Sequence, residues 1–204
     1  MQPLKITFTF LTELVESYHP IHFDSIVAYL VTQENGGNWE NIKLPIAKEN
    51  DIYMASALKF NRTGRRLAFR KRGFDQELFI EGLDNFIDTR TRTLRTASGP
   101  YKNYAWHTPV FTANSAEAWC IGEREPLSHL INQLRSIGPL GKLGYGAIKS
   151  VTIEYDEQAR VLWQHRVLPW RPNDKEFYPI NATCEPPYWD KRKLQEAWIH
   201  ESVA

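Results

Sequence analysis

The sequence predicts an α+β protein on three observations. A run of alternating apolar residues opens the chain, two amphipathic helical patterns stand far apart, and a second alternating run follows the later helix. Strand-like sequence broken by basic residues lies between the helices. The resulting order, β-α-β-β-α-β, is the ferredoxin-like (RRM-like) plan with an insertion in its middle.

In "LKITFTF", Leu4, Ile6, Phe8 and Phe10 alternate with Lys5, Thr7 and Thr9, the period-two pattern of a half-buried strand. Phe23, Ile26, Val27, Leu30 and Val31 follow i, i+3, i+4 spacing and predict a helix from Phe23 to Glu34. Asp24 and Ser25 suit the positive end of its dipole, and "NGGN" ends it. "DIYMASALKF" and "QELFIEGL" read as strand material around a glycine-punctuated basic hairpin. "AEAWCIG" reads as a strand. Pro126 then opens a helix whose buried face is Leu127, Leu130, Ile131, Leu134 and Ile137, with Gly138 as its stop. "SVTIEYD" alternates again, with "RVLWQHRVL" as its expected hairpin partner. Residues 1–168 thus form one domain with a basic insertion at 54–107. Residues 169–204 read as an extended Pro-rich C-terminal tail, with "WDKRKLQEAW" a short closing helix.

Composition narrows the function. Hydrophobic residues make up 42% of the 204, enough for a packed core, so the chain is not of disordered composition. No apolar run approaches the roughly 18 residues that cross a bilayer, and the N-terminus lacks a charged leader, so a cytoplasmic protein with no membrane partner is expected. Two cysteines are too few for a disulfide framework, and no metal or cofactor is expected. The net charge of +1 hides an asymmetry. "KFNRTGRRLAFRKR" carries Lys59, Arg62, Arg65, Arg66, Arg70, Lys71 and Arg72 with no acid, and "TRTRTLRTASGPYK" adds Arg90, Arg92, Arg95 and Lys102. Basic runs interleaved with Phe60, Phe69, Phe74, Tyr101, Tyr104 and Trp106 point to a bound polyanion. A solvated loop accounts better for a single short run, and two runs with interleaved aromatics bring the two readings close to even.

"IGPLGKLGYGAIKS" places Gly138, Gly141, Gly144 and Gly146 within nine positions, with Lys142 and Lys149 beside them. A dinucleotide loop runs from strand to helix, the reverse of the order here, and a Walker loop needs Ser or Thr where Leu143 stands. A helix cap and tight turn explain Gly138 and Gly141 only. Four glycines suggest that another backbone comes close, and sugar-phosphate oxygens would suit loop amides flanked by lysine. Tyr145 either stacks on a base or packs inward.

"LRSIGPLGKLGYGAIKSVTIE" resembles the glycine-rich signature of the RAMP superfamily of CRISPR-associated RNA-binding proteins, and "PIHFDSIVAYL" is similar to the first helix of that fold. The resemblance covers residues 4–35 and 115–168. It implies a RAMP fold in which the basic insertion is a thumb. The chain is most similar to the fifth Cas family, in the compact version of type IV CRISPR systems. That likeness implies a non-catalytic subunit of an effector ribonucleoprotein, capping the 5′ handle of the crRNA and contacting target DNA near the PAM in defence against foreign nucleic acid. Implied partners are the CRISPR backbone subunit and the large subunit, with a crRNA-processing subunit and a DinG-like helicase in the same system.

Some RAMP proteins cut precursor crRNA without metal. Tyr18, His19 and His22 in "SYHPIHFD" supply residue types for that chemistry. His22 at a helix N-terminus and His19 before Pro20 also fit purely structural roles. A small-ligand or protein-interaction ferredoxin-like domain with no nucleic acid, its basic runs binding acidic protein, is a further alternative. His107, His165 and His200 have no evident partners in the sequence.

Overall fold

The computed structural model describes residues 1–39, 42–72, 87–88, 93–94, 104–172 and 175–203. The chain divides into two compact units, residues 1–64 with 111–204, and residues 65–110. Among the described residues no helix is long and apolar enough to cross a membrane.

The first unit is built on β1 (Gln2–Phe10). Leu4, Ile6 and Phe8 on its inner face are fully buried, as the alternation predicts. β1 pairs antiparallel with β8 (Tyr104–Gly122) on one side and β9 (Ile148–Tyr155) on the other. The register sets Leu4 opposite Cys120, Ile6 opposite Ala118 and Phe8 opposite Ala116. Large residues on one strand therefore meet small ones on the next, which leaves room for the helices above. β5 (Lys59–Arg72) and the short β2 (Leu14–Val15) both pair with β8. The order β9-β1-β8-β5, with β1 antiparallel to both neighbours, is compatible with the ferredoxin-like plan.

Two helices cover this face. α1 spans Phe23–Glu34, and Gly36 and Gly37 beyond it take φ of 66° and 90°, as "NGGN" predicts. α2 spans Arg124–Ile131, with Pro126 in its first turn. Phe23, Val27 and Leu30 meet Leu127, Leu130 and Ile131 over the sheet in one core. Each fully buried side chain of this kind contributes about 1.5–3 kcal/mol.

α2 is shorter than its periodicity suggests. Gly138 does not stop it, because Asn132 is already its C-cap. Ile137 is buried, but from an extended segment, where its N–H donates to Gly146 O at 3.0 Å. The period of 3.6 continued in sequence after the helix had ended.

The segment after β9 also departs from expectation. "RVLWQHRVL" is not a hairpin partner of "SVTIEYD". Asp156 Oδ1 accepts from the Gln158 N–H at 2.9 Å, an Asx turn that leads into α3 (Ala159–Leu162). The chain then enters β10 (Val167–Leu168). The C-terminal segment is not a draped tail. β11 (Phe177–Ala182) and β12 (Gln195–His200) join β10 in an antiparallel sheet of order β10-β12-β11. "WDKRKLQEAW" holds a single 3₁₀ turn, Lys191–Lys193, and then the start of β12. This sheet has its own core of Trp163, Val167, Leu168, Phe177, Ala197 and Ile199. Ile52 of β4 (Ile52–Tyr53), which pairs with β3 (Lys48–Glu49), packs into it.

The two cores of the first unit are tied by a buried ion pair. Arg166 and Asp24 are both fully buried, with Nη2 to Oδ2 at 3.2 Å. Arg166 also donates to the carbonyls of Tyr53, Ala55, Cys184 and Val167 and to the Tyr188 hydroxyl. The Tyr188 hydroxyl in turn donates to both Asp24 oxygens, at 3.0 and 2.9 Å. Burial works against the guanidinium charge, but Asp24 and Tyr188 hold its pKa above the ordinary value. Burial pushes the Asp24 carboxyl up, against the pull of Arg166, Tyr188 and the Ser25 amide. Asp24 therefore serves this network and not only the helix dipole. His22 stacks flat on Tyr188, centroids 4.5 Å apart, and its buried Nδ1 has no hydrogen-bond partner among the described residues.

Within the second unit, the distal part of β5 carries Arg65, Arg66, Arg70, Lys71 and Arg72. The short strands β6 (Ile87–Asp88) and β7 (Thr93–Leu94) pair antiparallel. "QELFIEGL" lies outside the described residues.

Two predictions follow from the buried network. Asp24→Ala or Arg166→Met alone strands a charge and costs about 3–5 kcal/mol, whereas the double variant Asp24→Leu/Arg166→Met recovers much of that loss, as read by urea denaturation. Burial first, and Arg166 second, lower the His22 pKa well below 6.5. The unfolded chain then takes up the proton first, so stability present above pH 6.5 is lost as pH falls below it, by up to about 1.4 kcal/mol per pH unit. His22→Phe keeps the stack and flattens that limb of a melting-temperature profile.

Candidate nucleic-acid interface

The glycine run makes a compact loop between α2 and β9. Gly138, Gly144 and Gly146 take φ of 87°, 89° and 63°, and Leu140 joins them at 61°. A Cβ on Gly146 would run into the Ile137 carbonyl oxygen, and one on Gly141 into the Ser136 side chain. Another backbone does come close, and it is the protein's own. Gly146 N–H donates to Glu13 O at 2.7 Å, the Thr12 hydroxyl donates to Gly144 O at 2.7 Å, and Ala147 N–H donates back to the Thr12 oxygen at 2.9 Å. The loop is laced to residues 11–13, which follow β1. Gly146 has no room for any other residue.

Lys142, inside this loop on a 3₁₀ turn, and Lys149, at the start of β9, are exposed, and Tyr145 is half-buried between them. Lys142 borders a hollow with Ile21, Ser25 and Tyr29 of the α1 side. Lys149 borders a different one, with Thr9 to Glu13 and Thr112 to Asn114. The two cations therefore border separate depressions.

The basic strand presents the rest. In the first unit, the Arg62 guanidinium lies over the Phe111 ring at 4.4 Å and its Nη1 is 3.5 Å from Glu16 Oε1. Phe60 meets Phe111 edge-on at 5.2 Å and Phe10 at 6.1 Å. In the second unit, Arg65, Arg66 and Lys71 are exposed and Arg70 is half-buried. Leu67 and Phe69 are exposed on the same strand, and Phe69 contacts His107 at 5.2 Å. Arg72 ends β5. Arg90, Arg92 and Arg95 lie outside the described residues.

The histidine constellation separates. Tyr18 is 99% exposed, and His19 is exposed beside it. His22, the N-cap of α1, makes no side-chain cap bond and is buried under Tyr188, out of reach of any ligand at the surface. The sequence hid another histidine pair. His165 and His200 stack at 3.8 Å, both imidazoles hydrogen bond the Ser202 hydroxyl, and His200 Nε2 lies 3.1 Å from Glu176. Their partners come from the C-terminal segment, whose pairing no periodicity announced.

A cleft of about 440 Å³ collects several of these groups. Tyr18 and His19 line it from the segment before α1, Phe60 and Arg62 from β5, Phe111 from β8, and Tyr178 and Asn181 from β11. Ile21 lines both this cleft and the hollow at Lys142. Aromatic rings, a guanidinium and amide and hydroxyl groups stand there among the aliphatic side chains of Val15, Leu58, Ile180, Ile199 and Val203, a lining that suits a planar ligand with polar edges.

A comparison with curated proteins returns no match. A family model does match, that of the CRISPR type IV associated protein Csf3, over residues 2–200.

Proposed function

The chain belongs to the family of the CRISPR type IV associated protein Csf3, and from that premise we propose that it is a crRNA-binding subunit of a type IV effector ribonucleoprotein. In this reading it has a RAMP-type ferredoxin-like fold, caps the 5′ handle of the crRNA without cleaving it, and sits beside the backbone and large subunits, where its basic insertion meets target DNA near the PAM. The observation that carries the reading is the acid-free run from Lys59 to Arg72, laid out on one strand with Arg62 stacked on Phe111. Cations at strand spacing match a phosphate backbone, and their binding energy comes from release of its counterions. Lys142 and Lys149 add two exposed cations in and just after the glycine loop, each at its own hollow.

A second reading has one specific observation in its favour. Tyr18, His19 and Arg62 share a cleft, the residue types a metal-independent endoribonuclease uses to move a proton from a 2′-hydroxyl and to steady the developing charge. It requires that the pure protein cleave repeat RNA in EDTA and that His19→Ala abolish the cleavage. Intact RNA after incubation with the wild-type protein ends it.

The binding reading is tested by the variant Arg65→Glu/Arg66→Glu. Affinity for single-stranded RNA falls, and the slope of log affinity against log salt becomes shallower by about 1.4 for two lost phosphate contacts. An unchanged affinity across the salt series overturns it.

A further inference from the structure

We propose that the cleft lined by Tyr18, Phe60, Arg62, Phe111, Tyr178 and Asn181 holds one unstacked nucleobase of the bound RNA, so that the protein grips a base as well as phosphates; this rests on the RNA-binding reading above. The cleft's composition is the first argument. Arg62 already lies on Phe111, so the outer plane of the guanidinium offers a stacking surface backed by an aromatic ring. Tyr178 is 39% exposed and Tyr18 is 99% exposed, so both can close on a ring without leaving the core.

Polar groups are the second argument. Asn181 brings an amide, which offers both a donor and an acceptor to a base edge. Ser202 brings a hydroxyl fixed in place by His165 and His200. A cleft meant for an aliphatic side chain would offer the Asn181 amide nothing to bond.

Charge settles the occupant. Among the described residues no carboxylate lines the cleft, and Arg62 belongs to the seven-cation run that begins at Lys59. A strand whose phosphates reach Arg62 therefore brings a base to the cleft that Arg62 lines. At about 440 Å³ the space is of the size that takes one small planar ligand. The long contact between Arg62 and Glu16, 3.5 Å, is weak enough for a phosphate to displace it.

The test compares a short oligoadenylate with its abasic counterpart, which keeps every phosphate and lacks the bases. The wild-type chain binds the oligoadenylate about tenfold more tightly. Tyr178→Ala removes that advantage without changing the salt slope or the affinity for the abasic strand. Tyr18→Ala, at a side chain outside the core, weakens the oligoadenylate in the same direction. Arg65→Glu/Arg66→Glu weakens both ligands alike. If the two ligands bind equally, or if both tyrosine variants leave oligoadenylate binding unchanged, the cleft holds no base and the phosphate-binding reading stands alone. If neither ligand binds, both readings fall.

Discussion

A guanidinium with no solvent around it can persist only if its donors are met, and Arg166 meets them with carbonyls and a carboxylate from distant parts of the sequence. Tyr53 and Ala55 belong to the segment leading into β5, Asp24 to the first turn of α1, and Cys184 and Tyr188 to the loop between β11 and β12. These segments must arrive together or leave a buried charge unpaired, a cost of several kcal/mol. The ion pair thereby fixes the start of α1 against the C-terminal sheet. The walls of the cleft are direct continuations of what it ties: residues 18–21 precede α1, Phe60 and Arg62 follow Ala55, and Tyr178 and Asn181 stand on β11. A network that meets no ligand thus determines where the candidate ligand-binding groups stand.

The elements that were legible in the sequence are those whose apolar pattern is local. β1 and α1 bury the residues their periods assign, since each packs one face on the same core. What was not legible depends on contacts between remote segments. Asp24 looks like a residue for the helix dipole because nothing near it announces Arg166, which lies 142 positions away. Ile137 continues a helical period by coincidence, since its burial comes from pairing with Gly146. The last 36 residues conceal a sheet because prolines interrupt the alternation, and Pro179 itself sits inside β11. With that sheet unseen, the Ser202 hydroxyl and Tyr178 had no reason to be placed near Tyr18.

The glycine loop separates two ideas that its sequence fuses. Glycines in number do mark a close backbone approach, and Gly146 has one, with Ile137. The approach is internal, so the glycine pattern alone requires no external polyanion. Gly144, whose missing side chain faces open space, answers to backbone angle and not to crowding. Lys142 and Lys149 are exposed independently of the glycines, of which Gly146 is buried and Gly138 and Gly144 are exposed. A signature can thus identify a family through its architecture while the ligand contacts lie on neighbouring side chains.

If the chain holds RNA as proposed, its near-neutral overall charge constrains how. At a net charge of +1 there is little long-range attraction, so affinity must come from the local run on β5 and from terms that salt does not screen. Phosphate contacts weaken steeply as salt rises, whereas stacking of a base on Arg62 and Tyr178 does not. In the proposed reading the two sources divide the work. The cations of β5 capture any single strand and set its path, and the cleft, reached only by an unstacked base, fixes the register at which that strand comes to rest. A subunit that caps one defined end of an RNA needs the second property more than the first, because phosphates are the same at every position and a base slot beside a fixed amide is not.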